Sequence, residues 1–235
     1  PFYGDMERYP QVPTLKEMTQ KAIELLSQNK NGFVLMVEAG KIDWALHDNE
    51  AGPVMWEMMN MDETLAYLWN YAKQHKDTLL YVDADHETGV PVFHYRHLDE
   101  DRVSHKSSQG EMLYSGDTDF VNIPYYRKVF SHKHLLYYVY PEFKKLPQEQ
   151  QTAQTLQRMA DEALGGHIDL DLDGEVPDYE ELIAKLNDAL GMRWATGTHS
   201  SSMLLGVAYG PGAGEFSGVY HNTDLKKKFE TALGF

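Results

Sequence analysis

Short continuous apolar runs alternate with longer stretches of helical periodicity along this chain. A capping box beginning at Thr14 predicts a helix start, and apolar residues follow it at helical spacing. Residues 33–37 form an apolar run of the kind found in strands buried on both faces. A helical stretch over 53–76 separates it from further apolar runs at 78–82 and 203–208. This order predicts an α/β fold with a mostly parallel sheet.

The region between the second and third apolar runs has a different character. Residues 91–143 hold 11 aromatic side chains among turn residues and charges, without sustained periodicity. Two polar helical stretches follow before residue 190. We therefore predict a core made of residues 1–90 and 191–235, interrupted by a large insertion over 91–190.

Composition narrows the function classes. The 235 residues are 42% hydrophobic and 24% charged, as in ordinary globular proteins. The net charge of -15 argues against a nucleic-acid-binding surface and against docking on anionic lipid. No apolar run approaches the length of a membrane span.

Cysteine is absent, so a metal site must draw on carboxylates and the 11 histidines. The chain begins with Pro1, which leads us to expect a processed or truncated protein.

Polar residues cluster where the predicted strands end. Glu38 follows the first apolar run directly, Asp83–His86 follows the second, and His199 precedes the third. Asp43 and His47 are four residues apart, so a helix would place them on one face. Each cluster alone is typical of a solvated helix face, a turn or a surface histidine. Together they predict a metal site, because ligand sites of α/β sheets lie at strand ends.

These motifs resemble those of alkaline phosphatases. The segment Gly32–His47, Asp83–His86 and Gly197–His199 match the metal-binding segments of that family in order and context, and Tyr209–Gly212 matches a turn. The resemblance covers about 1–90 and 193–221. It implies a three-layer α/β/α sandwich with a mostly parallel sheet, present here in part and carrying a large insertion.

The resemblance also implies a ligand set and a reaction. The first zinc would be bound by Asp43, His47 and His199, the second zinc by Asp85 and His86, and a magnesium by Glu38. These donor types suit these metals. The implied activity is hydrolysis of phosphate monoesters at alkaline pH through a phosphoserine intermediate, with two zinc ions clamping the attacking and leaving oxygens.

Several family features are absent from the sequence. It contains no Asp-Ser-Ala type segment for the nucleophile, and we find no bridging aspartate, magnesium-binding threonine or phosphate-clamping arginine. We therefore interpret the chain as the C-terminal half of an alkaline phosphatase, inactive alone and prone to aggregate at exposed sheet edges. Nothing in the surroundings of Ser200–Ser202 marks an activated serine.

Trp44 stands where several members of the family carry Lys or His. Its indole N–H can donate a hydrogen bond at the rim of the phosphate site, or the ring can simply pack over the site. Tryptophan here, with the long insertion, resembles a bacterial branch of the family. The resemblance implies a homodimer clasped by the insertion, with an insertion folded onto its own core as the alternative. It also implies a periplasmic or secreted protein.

An acidic loop matches a calcium-binding template. Asp169, Asp171, Asp173 and Glu180 have the spacing of EF-hand ligands. The alternative is an acidic linker that ends at a helix N-terminus near Asp178. His132 and His134 are predicted to be surface residues.

Two other functions fit the same residues. A phosphodiesterase or phosphomutase of the wider superfamily could use a similar metal frame. The missing serine also fits a non-catalytic metal-binding fragment.

Overall fold

A computed structural model of the protein describes residues 1–93, Val129 and 135–234. The chain divides into two compact units. The first unit comprises Pro1–Asp48, Pro53–Val90 and Thr196–Phe235, and the second comprises Asn49–Gly52 and Pro91–Ala195. Among the described helices, none has the length and apolar character needed to cross a bilayer.

Among the described residues, three α-helices precede three short strands, and three more α-helices precede three more strands and a last α-helix. The α-helices are α1 (Leu15–Leu26), α2 (Lys41–His47), α3 (Ala51–Gln74), α4 (Leu136–Lys144), α5 (Ala153–Leu164), α6 (Tyr179–Ala189) and α7 (Leu225–Leu233). The strands are β1 (Leu80–Val82), β2 (Glu87–Thr88), β3 (Pro91–Phe93), β4 (Met192–Trp194), β5 (His199–Ser200) and β6 (Val207–Tyr209). Short 3-10 helices span Tyr3–Arg8, Gln148–Gln150, Ala213–Phe216 and Asn222–Asp224.

The predicted capping box is present at the start of α1. The Thr14 side chain accepts a hydrogen bond from the Glu17 backbone N–H at 3.2 Å, and the Glu17 carboxylate accepts one from the Thr14 N–H at 2.8 Å. The bond from the Thr14 N–H, together with one from the Thr14 hydroxyl at 3.0 Å, holds the pKa of the Glu17 carboxyl below its ordinary value. The reciprocal pair satisfies two N–H groups that would otherwise lack partners, and the helix begins at Leu15.

The strands differ from the prediction. The three described pairs, β1–β6, β2–β5 and β3–β4, are all antiparallel. Residues 33–37 form no strand in the described part of the chain, and the run at 203–208 contributes only its last two residues to β6. A strand needs a hydrogen-bonded neighbour, and along residues 33–37 Val34 is 76% and Met36 is 84% exposed. The mostly parallel sheet is therefore not seen in the described residues.

Aromatic packing holds the β1–β6 pair of the first unit. The Tyr81 ring lies 4.7 Å from that of Phe216 and 5.2 Å from that of Phe229, measured between centroids. The turn after β6 requires glycine at Gly210, where φ is +105° and a Cβ would lie 2.1 Å from the Thr78 carbonyl oxygen. This packing fixes the end of β1, from which residues 83–86 continue.

The second unit has a leucine-rich core anchored by a buried carboxylate. Glu50 is fully buried and accepts hydrogen bonds from the backbone N–H groups of Leu136 (2.8 Å) and Tyr137 (3.1 Å) and from the Tyr179 hydroxyl (3.2 Å). Glu50 thus satisfies N–H groups at the first turn of α4. The largest fully buried apolar side chains of this unit are Phe143, Leu135, Leu136, Leu156, Leu164, Leu170, Leu182, Leu186, Leu190 and Val129.

We expect Glu50→Ala to lower the free energy of unfolding of the second unit by about 3 kcal/mol, because it leaves buried donors without an acceptor. Denaturant unfolding followed by circular dichroism measures the change. Glu142→Ala is the matched control. Glu142 lies in the last turn of α4 and pairs with Lys145 at the surface, so its loss should change the free energy of unfolding little. Equal effects of the two substitutions would contradict the anchoring role of Glu50.

Candidate metal centre

Three of the predicted ligands meet in the first unit. One ligand atom from each of Asp43, His47 and His199 lies within 4.8 Å of the other two. Helix α2 supplies Asp43 and His47 from adjacent turns, with His47 Nε2 3.5 Å from Asp43 Oδ1. Strand β5 supplies His199, whose Nε2 lies 3.1 Å from His47 Nε2. The Asp43 and His47 side chains are each 36% exposed, so an ion can reach the group from solvent.

A backbone carbonyl fixes which nitrogen of His47 faces this group. His47 Nδ1 lies 2.7 Å from the Gly197 carbonyl oxygen. A carbonyl only accepts hydrogen bonds, so Nδ1 carries the proton and Nε2 keeps its lone pair. Metal-binding histidines are commonly oriented in this way by a hydrogen bond from the second nitrogen. The neutral imidazole is thus prepared to bind through Nε2.

The spacing of the donors fits zinc. With metal–ligand distances of about 2.0–2.1 Å, tetrahedral coordination places neighbouring ligand atoms about 3.3 Å apart. The separations of 3.1 Å between the two Nε2 atoms and 3.5 Å from His47 Nε2 to Asp43 Oδ1 bracket that value. Two imidazoles and one carboxylate are also a donor set that catalytic zinc sites use, with a fourth position left open.

Asp85 and His86 lie beside this group without joining it. The His86 ring stacks on the His199 ring, with centroids 3.4 Å apart and planes 18° apart. Asp85 Oδ2 is 3.3 Å from His86 Nε2, and the Asp85 side chain is 86% exposed. The pair therefore offers two donors next to the three-ligand group, one fewer than the three protein ligands of a typical catalytic zinc site.

Glu38 and Trp44 are placed differently. Glu38 is exposed and does not belong to the three-ligand group, because it lies in the unpaired segment before α2. Its Oε1 would be 2.9 Å from a Cβ at Gly40, so glycine there leaves room for the carboxylate. Trp44 is 59% exposed, and the Lys41 ammonium lies 4.5 Å from the centroid of its ring. Their roles in binding magnesium and phosphate stay predictions.

Thr88 is a contact of the site that the sequence analysis missed. Its hydroxyl donates a hydrogen bond to Asp43 Oδ1 at 2.8 Å and lies 3.1 Å from His86 Nδ1. A signal was present in the sequence: in an extended chain, Thr88 shares a face with His86 two residues earlier. The contact to Asp43 depends on tertiary structure and could not be predicted from spacing.

Tyr81 supports the segment that carries Asp85 and His86. Its hydroxyl donates to Asp83 Oδ2 at 2.5 Å and lies 3.3 Å from the Tyr220 hydroxyl. Burial raises the pKa of Tyr81 above its ordinary value, and the hydrogen bond to the Asp83 carboxylate raises it further. The phenol therefore stays a hydrogen-bond donor at alkaline pH.

The Ser200 hydroxyl is engaged in other contacts. Alternation along β5 directs Ser200 away from the face that His199 presents to Asp43. The Ser200 hydroxyl donates to the Glu87 carboxylate and also contacts Ser202 Oγ at 2.9 Å. That the nucleophile lies outside this sequence stays a prediction.

The calcium template does not form a described site. Ile168, Leu170 and Leu172 are buried while the aspartates between them are exposed, and Asp171 and Asp173 have left-handed backbone conformations (φ +50° and +49°). Within the described residues, the four template carboxylates do not come together at metal-binding distance. The Lys185 ammonium donates to the Asp171 carbonyl at 2.8 Å, an oxygen of the same loop. Asp178 caps α6 by accepting from the Glu181 N–H, as the linker alternative predicts. His132 and His134 lie outside the described residues.

Known proteins match the whole chain. The sequence profile of the alkaline phosphatase family matches residues 3–235. Alkaline phosphatase 3 of Bacillus subtilis (strain 168) is 30% identical over 230 residues, a match that covers 98% of this chain and 46% of that protein. The alkaline phosphatase of Escherichia coli (strain K12) is 44% identical over 82 residues, which are 34% of this chain and 17% of that protein.

Solved structures share the fold. The alkaline phosphatase of Thermus thermophilus superposes with a TM-score of 0.73 at 24% identity, covering 100% of this chain and 50% of that one. The cold-active alkaline phosphatase of a psychrophilic Shewanella species superposes with a TM-score of 0.67 at 24% identity, covering 99% of this chain and 52% of that one. The chain spans about half the length of these full-length matches, and its fold is alkaline phosphatase-like α/β.

We expect the chain to bind zinc and His199→Ala to weaken that binding by more than about 100-fold, because losing a ligand costs more than losing a supporting contact. Competition against a chromophoric chelator measures the affinity. His221→Ala is the control, since His221 is exposed in the same unit but outside the three-ligand group. Unchanged zinc affinity in His199→Ala would remove His199 from the site.

Proposed function

This chain belongs to the alkaline phosphatase family, and on that premise we propose that it carries the metal-binding part of a phosphate monoester hydrolase active at alkaline pH. The convergence of Asp43, His47 and His199 carries this proposal. A family match alone would also fit a chain in which these three side chains do not lie close together. Here the donors from helix α2 and strand β5 lie within 4.8 Å of one another, which supports the proposal.

We assign the ligands as the family resemblance implies. Asp43, His47 and His199 would hold the first zinc, Asp85 and His86 would contribute to the second zinc, and Glu38 would contribute to magnesium. When bound, such ions stabilise the charge that develops on the phosphoryl, attacking and leaving oxygens. The second zinc and the magnesium would need further ligands besides those named.

The chain's own side chains position and shape the site. The Gly197 carbonyl orients His47, and Thr88 contacts ligands assigned to both zinc ions. Trp44 would form the rim of the phosphate site, where its exposed indole N–H could donate to a substrate oxygen. Lys41, stacked on that indole, would bring a positive charge that the indole itself lacks.

The nucleophile of the phosphoserine mechanism would come from residues outside this sequence. No Asp-Ser-Ala type segment is present, and the Ser200 hydroxyl is engaged with Glu87. The same residues would complete the three-layer sandwich with its mostly parallel sheet. Apolar side chains are exposed along residues 33–37 and 203–206, among them Met36 and Met203 (84% each). This supports the proposal, since apolar strands are normally covered.

Assembly and location follow from the same resemblance. We propose a homodimer clasped by the insertion over 91–190 and a periplasmic or secreted protein. Tyr137 and Tyr138 lie on the insertion with 50% and 49% of their surface exposed, and aromatic residues are enriched at interfaces. The other aromatic residues of 94–128 lie outside the described residues.

The activity is tested by turnover of p-nitrophenyl phosphate at alkaline pH with zinc and magnesium. We expect no turnover by this chain and turnover by a longer version that includes an Asp-Ser-Ala type segment upstream, with Asp43→Asn in the longer version as the inactive control. Turnover by this chain alone would contradict the assignment of the nucleophile. A longer version that binds zinc but turns nothing over would favour a non-catalytic fragment, and turnover of diesters alone would favour a phosphodiesterase.

The clasp is tested by light scattering after size-exclusion chromatography. We expect the double substitution Tyr137→Ser and Tyr138→Ser to convert a dimer to a monomer, because it removes aromatic contact area from the insertion. Tyr9→Ser is the matched control, since Tyr9 is 44% exposed but lies outside the insertion. A dimer that survives the double substitution would favour an insertion folded onto its own core.

A further inference from the structure

Thr88 lies where the ligands assigned to the two zinc ions come closest. It is the second residue of β2 and is paired directly opposite His199 on β5. Its side chain is buried, and only 2% of the residue is exposed. Its Oγ1 lies 2.8 Å from Asp43 Oδ1 and 3.1 Å from His86 Nδ1. One hydroxyl therefore contacts a ligand of the first predicted zinc and a ligand of the second.

We propose that Thr88 is a positioning residue that holds Asp43 Oδ1 in place and fixes the His86 ring with its proton on Nδ1. This inference rests on the metal centre proposed above and deepens it. It assigns to Thr88 the contact that links Asp43, a ligand of the first predicted zinc, to His86, a ligand of the second.

The proton count of the hydroxyl gives the direction of both hydrogen bonds. A threonine hydroxyl has one proton to donate and lone pairs to accept. The Thr88 hydroxyl donates to Asp43 Oδ1, so its single proton points to that oxygen. The second contact must then run from His86 Nδ1–H to Thr88 Oγ1. With its proton on Nδ1, the neutral His86 ring keeps a free lone pair on Nε2.

This arrangement makes His86 resemble His47. Each ring carries its proton on Nδ1, His47 against the Gly197 carbonyl and His86 against Thr88. Nε2 of His86 lies 3.3 Å from Asp85 Oδ2, the other ligand assigned to the second zinc. Without the hydroxyl, the His86 ring can turn or exchange its proton, and Asp43 loses its nearest donor among these contacts.

The chain offers a matched comparison for the loss of a buried hydroxyl. Thr64 is fully buried in α3, and its Oγ1 donates to the Asn60 carbonyl at 2.8 Å. Thr64→Val and Thr88→Val remove the same atom from equally buried threonines. Only the second change touches a predicted metal ligand.

The experiment measures zinc affinity by competition against a chromophoric chelator for the unsubstituted chain, Thr88→Val, Thr88→Ser and Thr64→Val. We expect Thr88→Val to weaken zinc binding by about 10–100-fold. Thr88→Ser keeps the hydroxyl and should bind close to the unsubstituted chain, and Thr64→Val should do the same. Equal affinity of Thr88→Val and Thr64→Val would overturn the proposal.

A second measurement needs no metal. Long-range proton–nitrogen NMR of the metal-free chain, at a pH about two units above the ordinary imidazole pKa of about 6.5, reports which nitrogen of His86 carries the proton. We expect Nδ1–H in the unsubstituted chain and in Thr88→Ser, and a mixture of the two forms in Thr88→Val. A proton on Nε2 in the unsubstituted chain would overturn the proposal even if Thr88→Val fails to fold. Absence of zinc binding with Nδ1–H on His86 would instead overturn the metal centre.

Discussion

Two imidazole nitrogens held 3.1 Å apart impose the main constraint on this structure. His47 donates its only ring proton to the Gly197 carbonyl, so its Nε2 presents a lone pair to His199 Nε2. A hydrogen bond from His199 Nε2–H, or a cation bound by both nitrogens, can join them at this distance. The Asp43 carboxylate beside them favours positive charge at the same point. The local structure thus creates a position that a zinc ion would satisfy.

The rest of the first unit brings these donors together. Helix α2 presents Asp43 and His47 on adjacent turns, and the short β2–β5 pair places Thr88 opposite His199. The Tyr81 ring packs against two phenylalanines and its hydroxyl holds Asp83, which fixes the segment leading to His86. The donors therefore come from helix α2, strand β5 and the segment after β1, and the metal centre depends on tertiary packing of elements distant in sequence.

Features that depend on neighbouring residues were predictable from the sequence, whereas contacts between distant segments were not. The capping box at Thr14 and the i,i+4 pair of Asp43 and His47 depend on neighbours within one turn, and both appear as predicted. The apolar run at 33–37 has the composition of a buried strand, but a strand also requires a neighbour that composition cannot supply. The calcium template matched in spacing, yet Leu170 and Leu172 are buried, the aspartates between them are exposed, and the described template carboxylates do not converge. Thr88 escaped notice because its contact with Asp43 spans 45 positions of sequence.

Anomalous diffraction at the zinc edge, from crystals of the chain grown with zinc, tests the central claim most directly. The account predicts a zinc ion bonded to the Asp43 carboxylate, His47 Nε2 and His199 Nε2 at about 2.0–2.1 Å from the two nitrogens. Zinc bound through His47 Nδ1, or no zinc peak at these three residues, would contradict it.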